Sequence, residues 1–431
     1  YRFPILYCRG TYVFTGGTIM ITGLEQYKEK WQVESDNGIK LGLEVMEQAL
    51  ELLGHPQREV AFVHVAGTNG KGSTIAFLES ILREHGVTVG KFMSPCILDV
   101  HDQIQINGEP ISAVEMDELF QEMKSAGLNA KCTDFELLTC AALLFFKKKG
   151  VDIALIETGM GGLLDSTNVI TPLVSVIPSI ALEHTNFLGN TLTDIARHKA
   201  GIIKNGVPVV IGNLPVEALA VITETAKEKE SKLLMLGTDF MAKGESYVYA
   251  KLKFDTLARK MVGKHQADNM ALAITVFLLV AERLAIQLNE EAIKKGVAST
   301  TLAGRFEEVL PGVYFDGAHN PASVEKLVDT IKEHFPRKNI EFIVGMLTDK
   351  DVDTVLRQLE TVSTTFTFVN FDNPRAMKAK DLIIKSRAVD RRITRDPIGY
   401  LHGPKDERTI VVVTGSLYLL SLLRAQLKRE L

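Results

Sequence analysis

One glycine-rich segment restricts the fold of this chain more than any other feature, because it joins an apolar strand to a helix. The strand is predicted over Val60–Ala66 and the helix over Thr74–Glu84, which Gly86 closes. Glycines let successive backbone N–H groups face one anion, and the start of the helix adds positive potential. The pattern predicts a phosphate-binding loop, the alternative being a tight turn without a ligand. The loop reads Gly67-Thr68-Asn69-Gly70-Lys71-Gly72-Ser73-Thr74.

The side chains of this loop point to nucleotide and Mg²⁺ binding. Lys71 is expected to reach the outer phosphates, and Ser73 or Thr74 to offer a hydroxyl to Mg²⁺. The loop departs from the common GxxxxGK[ST] pattern, because Val65 replaces its first glycine and Gly72 separates the lysine from the hydroxyl. The residues expected to hold the nucleotide here are Thr68, Asn69, Gly70, Lys71, Gly72, Ser73 and Thr74.

Apolar, β-branched runs alternate with helical patterns over most of the chain. Such runs are typical of parallel strands that are covered by helices on both faces of a sheet. We therefore expect an α/β fold with a mostly parallel sheet. Further strands are predicted at Val87–Met93, Val151–Ile156, Leu173–Ile180 and Val207–Ile211, and helices at Glu136–Lys149 and Gln266–Leu284.

The small, polar stretch Ala298–Gly304 predicts a hinge between two domains. We expect an N-terminal P-loop-type domain over residues 20–300 and a smaller Rossmann-like α/β domain over residues 301–431. Residues 1–19 lack clear periodicity and are interpreted as a leader or a remnant, with Met20 as a candidate natural start. Strands of the second domain are predicted at Glu307–Leu310, Val313–Phe315, Ile340–Val344, Thr365–Asn370 and Thr409–Val413, and helices at Ala322–His334, Val352–Thr361 and Leu417–Glu430.

Composition excludes several classes of protein. Charged residues make up 24% of the chain and the formal net charge is −4, which argues against binding of nucleic acid or an anionic membrane by bulk charge. No apolar run reaches the ~20 residues that a membrane helix needs. The four cysteines are scattered and form no CxxC pair, which argues against a disulfide framework or a zinc ribbon and indicates a cytoplasmic protein.

Several further motifs follow the phosphate loop in order, and together they identify a family. With the Gly-Lys-Gly-Ser loop, they resemble the folylpolyglutamate synthase/dihydrofolate synthase branch of the Mur ligase superfamily. The resemblance extends from about residue 40 to the C-terminus. The motifs are Glu157-Thr158-Gly159-Met160-Gly161-Gly162, Asp165-Ser166-Thr167-Asn168, Glu183-His184, His198-Lys199-Ala200-Gly201, Gly304-Arg305-Phe306-Glu307, Asp316-Gly317-Ala318-His319-Asn320-Pro321 and Thr414-Gly415-Ser416-Leu417-Tyr418.

This resemblance implies an ATP-dependent amide ligase that adds L-glutamate to dihydropteroate, to reduced folates, or to both. Phosphorylation of the acceptor carboxylate by ATP would give an acyl phosphate, which the amine then attacks, and ADP and phosphate are released. The implied partners are small molecules alone, without nucleic acid or membrane. The resemblance also implies two Mg²⁺ ions and a monomer.

The resemblance assigns roles to single residues. Ser73 and Glu157 would bind the first Mg²⁺, and His184 the second. Lys199 would be carbamylated by CO₂, which replaces a cation with an anionic oxygen ligand. Lys71, Lys199, His184 and His319 would be the catalytic residues, Arg305 and Asp316 would contact ATP, and Ser94, Asp165 and Ser416 would contact the substrates.

Four positions depart from the family's pattern, all of them outside the phosphate loop. Gln103 stands where the family has an arginine that anchors the glutamate carboxylate, and Cys96 replaces a histidine. Leu163 replaces an arginine and Glu183 an aspartate. Two alternatives therefore stay open: a relative that joins another acid and amino acid, and a nucleotide-binding regulator without catalysis.

Overall fold

The computed structural model describes residues 21, 23–38, 40–96, 99–128, 132–403 and 406–430. The interpretation of residues 1–19 and of Met20 lies outside the described residues. Within the described part of the chain, no helix combines the length and apolar character needed to cross a membrane.

A mostly parallel sheet forms the centre of the N-terminal part. Its strands run in the order β4-β3-β2-β5-β1-β6-β7-β8, and only the pairs made by β3 are antiparallel. All five strands predicted for this domain occur, each one shorter at one end or both. The bounds are β1 (Phe62–Val65), β2 (Val89–Phe92), β3 (Ile104–Ile106), β4 (Glu109–Pro110), β5 (Ile153–Glu157), β6 (Val174–Ile177), β7 (Val209–Ile211) and β8 (Leu233–Met235).

Helices cover both faces of this sheet, which explains its almost continuous apolar strands. Phe62 and Ile156 pack into the core on one face, whereas Val63 and Leu155 pack into the core on the other. The helices are α1 (Glu25–Trp31), α2 (Glu44–Leu52), α3 (Lys71–Glu84), α4 (Ala113–Ser125), α5 (Asp134–Lys149), α6 (Thr185–Leu188), α7 (Leu192–Ala200), α8 (Val216–Glu228), α9 (Lys264–Leu284) and α10 (Glu290–Ser299).

A small antiparallel sheet, which the sequence did not predict, lies against α9. The buried Tyr247 is within hydrogen-bond distance of Thr275, with 2.7 Å between the two hydroxyl oxygens. The three strands are short and carry exposed residues, so no clear alternation marks them. They are β9 (Phe240–Lys243), β10 (Ser246–Tyr249) and β11 (Leu252–Phe254).

A second α/β sheet follows the irregular segment 300–306. Its order is β12-β13-β17-β14-β15-β16, and only β12 is antiparallel to its neighbour. The strands are β12 (Glu307–Leu310), β13 (Val313–Phe315), β14 (Asn339–Val344), β15 (Thr365–Val369), β16 (Asp390–Thr394) and β17 (Thr409–Thr414). The helices are α11 (Pro321–His334), α12 (Val352–Leu359), α13 (Ala379–Lys385), α14 (Pro397–His402) and α15 (Leu417–Glu430).

The register of the first sheet decides where the functional loops emerge. In the parallel ladder, Val65 at the end of β1 lies opposite Glu157 at the end of β5. On the other side of β1, Val65 lies opposite Val176 near the end of β6. The phosphate loop, Glu157 and the segment after β6 therefore leave the sheet at the same edge, where ligands bind in such folds.

Candidate active site

A cavity of about 790 Å³ lies between the two sheet domains. Residues from both domains line it, so that a ligand could contact both at once. It contains all the predicted site residues except Thr74 and Lys199. The predicted residues that line it are Thr68, Asn69, Gly70, Lys71, Gly72, Ser73, Ser94, Glu157, Asp165, His184, Arg305, Asp316, His319 and Ser416.

The phosphate loop is held in shape by the segment that follows β6. The backbone N–H of Asn69 donates to the Ser179 hydroxyl at 2.9 Å, and the Thr68 hydroxyl donates to the Ala181 carbonyl at 3.1 Å. Gly70 caps the start of α3 with a φ of +84°, a conformation that side chains with a Cβ rarely adopt. The loop is therefore fixed before any ligand binds.

Lys71 and Glu157 form the charged centre of this loop. The Lys71 Nζ lies 3.5 Å from Glu157 Oε1 and donates to the Gly67 carbonyl at 3.0 Å. Burial raises the pKa of Glu157, while the nearby Lys71 and Arg305 charges oppose that shift. The second carboxylate oxygen, Oε2, is buried and has no hydrogen-bond partner in the described part of the chain. This oxygen is thus available to a ligand that the protein itself does not supply.

The donor set at this point fits Mg²⁺ rather than a transition metal. Ser73 and Glu157 are both buried and line the cavity, and the buried Thr74 hydroxyl oxygen also lacks a partner among the described residues. No group of three or more His, Cys, Asp or Glu side chains suited to a metal forms within those residues. Mg²⁺ commonly uses one or two protein oxygens and takes its other ligands from phosphates and water.

Burial disfavours the charged forms of both His184 and Lys199. Burial lowers the pKa of His184 to about 4, although the Glu183 carboxylate opposes the shift. Lys199 is 4% exposed, and burial lowers its pKa to about 7, with the Lys71 charge as the second cause. A neutral imidazole can bind a metal ion, and a neutral amine can react as a nucleophile.

Asp165 holds the glycine-rich segment that follows β5. Its carboxylate accepts from the backbone N–H of Met160 at 2.7 Å and from the Thr167 hydroxyl at 2.5 Å. The ring of the buried His64 lies 2.8 Å from that same hydroxyl. Because the Thr167 proton is donated to Asp165, His64 Nε2 must be the donor to Thr167. Asp165 therefore lines the cavity while it also fixes the local backbone.

The second domain contributes Arg305, Asp316 and His319. Asp316 accepts from the backbone N–H groups of Phe306 at 3.0 Å and Ala318 at 2.9 Å, which ties the segment after β13 to the interdomain segment. The charge of Arg305 opposes the rise in the pKa of Asp316 that burial causes. These contacts bring both residues to the cavity from the C-terminal side.

The positions that depart from the family's pattern fall in two places. Gln103, Cys96 and Glu183 line the cavity, as does Ser416, whereas Leu163 is 45% exposed and outside the lining. Gln103 Oε1 and Ser416 Oγ are buried without a hydrogen-bond partner among the described residues. Both atoms are therefore available to a polar group of a substrate.

The sequence analysis missed a group of cavity residues at the start of α9. His265, Gln266 and Asn269 occupy its first turns, and a Cβ on Gly70 would lie 2.6 Å from Asn269 Oδ1. The sequence offered one signal for these residues: they are polar and lie at the N-terminus of a long apolar helix. Helix N-termini favour anions, so such residues are candidates for a ligand site. The sequence analysis also missed Lys350, which lines the same cavity.

Comparisons with known proteins first define the class. A family model described as the Mur ligase middle domain matches residues 65–277, and one described as the Mur ligase glutamate ligase domain matches residues 304–417. The chain thus has the middle domain and the glutamate ligase domain of a Mur ligase.

Individual relatives narrow the class to one family. The dihydrofolate synthase/folylpolyglutamate synthase of Bacillus subtilis is 38% identical over 91% of this chain and 96% of the relative. The folylpolyglutamate synthase of Lacticaseibacillus casei is 34% identical over 88% of this chain and 92% of the relative. The structure of E. coli FolC in complex with DHPP and ADP matches with a TM-score of 0.85 at 28% identity, covering 96% of this chain and 100% of that one.

The chain therefore belongs to the folylpolyglutamate synthase/dihydrofolate synthase family of ATP-dependent Mur ligases. The resemblance inferred from the motifs is confirmed, as is the expected α/β fold.

Proposed function

We propose that this protein joins L-glutamate to the carboxylate of dihydropteroate, of a reduced folate, or of both, and converts ATP to ADP and phosphate. The observation that carries the proposal is the arrangement of Lys71, Glu157 and the phosphate loop at the wall of an interdomain cavity. The names of the relatives, which combine dihydrofolate synthase and folylpolyglutamate synthase, support this choice of substrates.

Residues of the first domain hold the phosphates during the reaction. Lys71 and the loop amides bind the β and γ phosphates, and the acceptor carboxylate attacks the γ phosphorus to give an acyl phosphate and ADP. One Mg²⁺ held by Ser73 and Glu157, and a second held by His184, would neutralise the charge of the phosphates. Arg305 adds a positive charge from the other side of the cavity, and Asp316 binds the ribose.

Residues around the cavity then serve the second step. The amine of L-glutamate attacks the acyl carbon, and inorganic phosphate leaves with the oxygen that had belonged to the acceptor. Ser94, Asp165 and Ser416 contact the substrates, and His319 lies near the transferred phosphoryl group. A closed cavity protects the acyl phosphate from water, which would otherwise hydrolyse it.

Lys199 carries a carbamate in the active enzyme. Carbamylation needs a neutral amine, because the nitrogen lone pair must attack CO₂. The low pKa of Lys199, about 7, leaves a large neutral fraction at physiological pH. Its amine has no hydrogen-bond or ion-pair partner within the described ranges, so carbamylation would break no existing contact. The carbamate would supply the oxygen ligand that Mg²⁺ prefers.

The enzyme acts as a cytoplasmic monomer on small molecules. The residues given a role above, apart from the buried Lys199, line one cavity of a single chain. The scattered cysteines support a reducing compartment. Size-exclusion chromatography with light scattering tests the oligomeric state, and a dimer mass would contradict it.

The test of this function is ADP release under Mg-ATP and L-glutamate, with dihydropteroate and tetrahydrofolate supplied separately. We expect acceptor-dependent ADP release and a product heavier by one glutamyl residue with at least one acceptor. ATP binding without product from either acceptor would contradict the proposal. The cavity wall around Gln103 would then be examined for a different pair of substrates.

A further inference from the structure

Glu183 connects the two domains through one carboxylate oxygen. It follows β6 in the first domain, and its Oε1 accepts from three donors of the second domain. These donors are His319 Nε2 at 3.0 Å, Asn320 Nδ2 at 3.2 Å and Lys350 Nζ at 3.2 Å. We call these four residues the interdomain clamp.

The donors reach Glu183 because the carboxyl edges of the two sheets face each other. His319 and Asn320 lie between β13 and α11, and Lys350 lies between β14 and α12. Both strands belong to the parallel part of the second sheet, so these loops leave it at the same edge. Glu183 is thus the point of the first domain at which two loops of the second domain meet.

Each donor is oriented by its own domain before it meets Glu183. Asn320 Oδ1 accepts from the backbone N–H of Ser323 at 2.9 Å, which leaves Nδ2 to donate across the cleft. The His319 ring places Nδ1 2.8 Å from the Gly317 carbonyl and Nε2 3.0 Å from Glu183. Both oxygens can only accept, so Nε2 donates to Glu183 when both ring nitrogens carry a proton. The clamp is therefore a set of pre-oriented donors around one acceptor.

The clamp is sheltered from water, and so its charges are weakly screened. The side chains of Glu183 and Lys350 are 11% and 12% exposed. Asn320, which is buried, also pairs with Asn69 of the phosphate loop, with amide nitrogen to amide oxygen distances of 3.3 and 3.2 Å. Through Asn320, the clamp is therefore in direct contact with the phosphate loop.

The cation beside Glu183 argues against a role for its Oε1 as a metal ligand. The Lys350 ammonium, 3.2 Å away, would repel a divalent ion at this oxygen. The same oxygen is already shared by three donors. This arrangement suits a carboxylate that binds hydrogen-bond donors of the other domain.

We propose that Glu183 is a positioning residue: its carboxylate holds the second domain closed over the phosphate loop, and thereby places His319 at the transferred phosphoryl group. This inference rests on the proposed ligase function. The side-chain length of glutamate matters, because a carboxylate one methylene shorter would withdraw from all three donors. Loss of this placement lowers kcat by about 10²-fold, the size expected when a reacting group is misplaced by about 1 Å.

The test compares Glu183→Gln, Glu183→Asp, Lys350→Met and the double variant Glu183→Gln with Lys350→Met. We expect each single change to lower kcat by about 10²-fold while the KM for ATP changes little, since the phosphate loop is intact. We expect the double variant to be no worse than either single variant, because the two side chains act as a unit.

Glu360→Gln is the matched control. Glu360 is 13% exposed and also accepts from three donors, which are Arg357, the Ser386 hydroxyl and the backbone N–H of Arg387. All of these lie in the second domain. We therefore expect Glu360→Gln to reduce thermal stability and to keep the kcat of the native protein.

Domain closure provides a readout that does not depend on activity. Small-angle scattering with a non-hydrolysable ATP analogue is expected to give a larger radius of gyration for Glu183→Gln than for the native protein and Glu360→Gln. A native protein without ligase activity would contradict the proposed function, and the scattering comparison would still test the clamp.

Three results would overturn the clamp. The first is native kcat in both Glu183 variants. The second is an additive loss in the double variant. The third is a raised Mg²⁺ requirement in Glu183→Gln together with full activity in Lys350→Met, which would make Glu183 a metal ligand.

Discussion

Lys199 shows how burial changes the chemistry of a residue. An ammonium group next to Lys71 and away from water is unfavourable, so its pKa falls to about 7. At neutral pH the amine is therefore partly protonated and partly neutral, and only the neutral form is a nucleophile. The carbamylation proposed for this residue needs the neutral fraction, because CO₂ reacts only with the neutral amine.

We predict that Lys199→Arg abolishes most ligase activity and leaves ATP binding intact. Arginine keeps a positive charge but cannot form the carbamate, and the loss of one such electrostatic contact typically costs ~10²–10³ in rate. Lys204→Arg is the control, because Lys204 is also partly buried but donates to the Asn168 carbonyl at 3.1 Å. Full activity in Lys199→Arg, measured by ADP release, would refute the carbamate.

His64 offers a separate prediction about stability and pH. Burial lowers its pKa to about 3, with the Lys204 charge as a lesser cause, whereas an unfolded histidine has a pKa of about 6.5. Between these values the unfolded chain binds a proton that the native protein does not. Stability is therefore lost as pH falls from about 6.5 towards 3, at up to ~1.4 kcal/mol per pH unit.

We predict that His64→Gln flattens this dependence while its amide still donates to Thr167. The drop in unfolding free energy between pH 7.5 and pH 5 is expected to shrink by about 2 kcal/mol. Urea unfolding followed by the fluorescence of Trp31, the single tryptophan, reports on the same domain. His334→Gln, at an exposed helix end, serves as the control. An unchanged dependence in His64→Gln would contradict the assignment.

The position of a single functional residue could be predicted where an apolar strand pattern ended in a polar residue. Glu157 follows a strong apolar run, so its position at the sheet edge could be inferred before its neighbours were known. Lys350 follows β14 in the same way, but one lysine in a loop carries no pattern of its own. Its role becomes visible only through Glu183, which lies far away in sequence.

At the scale of elements, the phosphate loop depends on a backbone conformation that only glycine adopts easily. A Cβ on Gly70 would be strained by the positive φ and would lie 2.6 Å from Asn269 Oδ1. We predict that Gly70→Ala weakens binding of a non-hydrolysable ATP analogue by tenfold or more, since such strain costs ~1–3 kcal/mol.

Gly54→Ala separates backbone strain from the effect on the site. Gly54 has a φ of +71° and no atom within 4 Å of an added Cβ, and it lies after α2, outside the cavity lining. We expect this variant to lose ~1 kcal/mol of stability and to bind the analogue as the native protein does. Equal calorimetric affinities for Gly70→Ala and the native protein would contradict the role of the loop.

Strands buried on both faces were predictable from the sequence, whereas several exposed strands were missed. The apolar runs of β1, β5 and β6 are buried on both faces and therefore show a strong signal. The edge strand β16 is mostly exposed and reads as a charged segment, so its pairing with β15 depends on tertiary context. The small sheet β9–β11 was missed for the same reason.

At the scale of the whole molecule, two parallel sheets face each other by their carboxyl edges. The phosphate loop lines the cavity from the first domain, and the segment Asp316–His319 lines it from the second. Neither domain alone contains the proposed set of reacting groups. The sequence predicted the two domains, but the interdomain contacts required the structure because they join residues more than a hundred positions apart.

The central claim is that ATP activates a carboxylate as an acyl phosphate in this cavity. The most direct test uses an acceptor, chosen from those that give product, whose carboxylate oxygens are both labelled with ¹⁸O. If the acyl phosphate forms, one labelled oxygen passes to the inorganic phosphate released in each turnover, and mass spectrometry detects it. Unlabelled phosphate, or release of AMP and pyrophosphate instead of ADP and phosphate, would contradict the account.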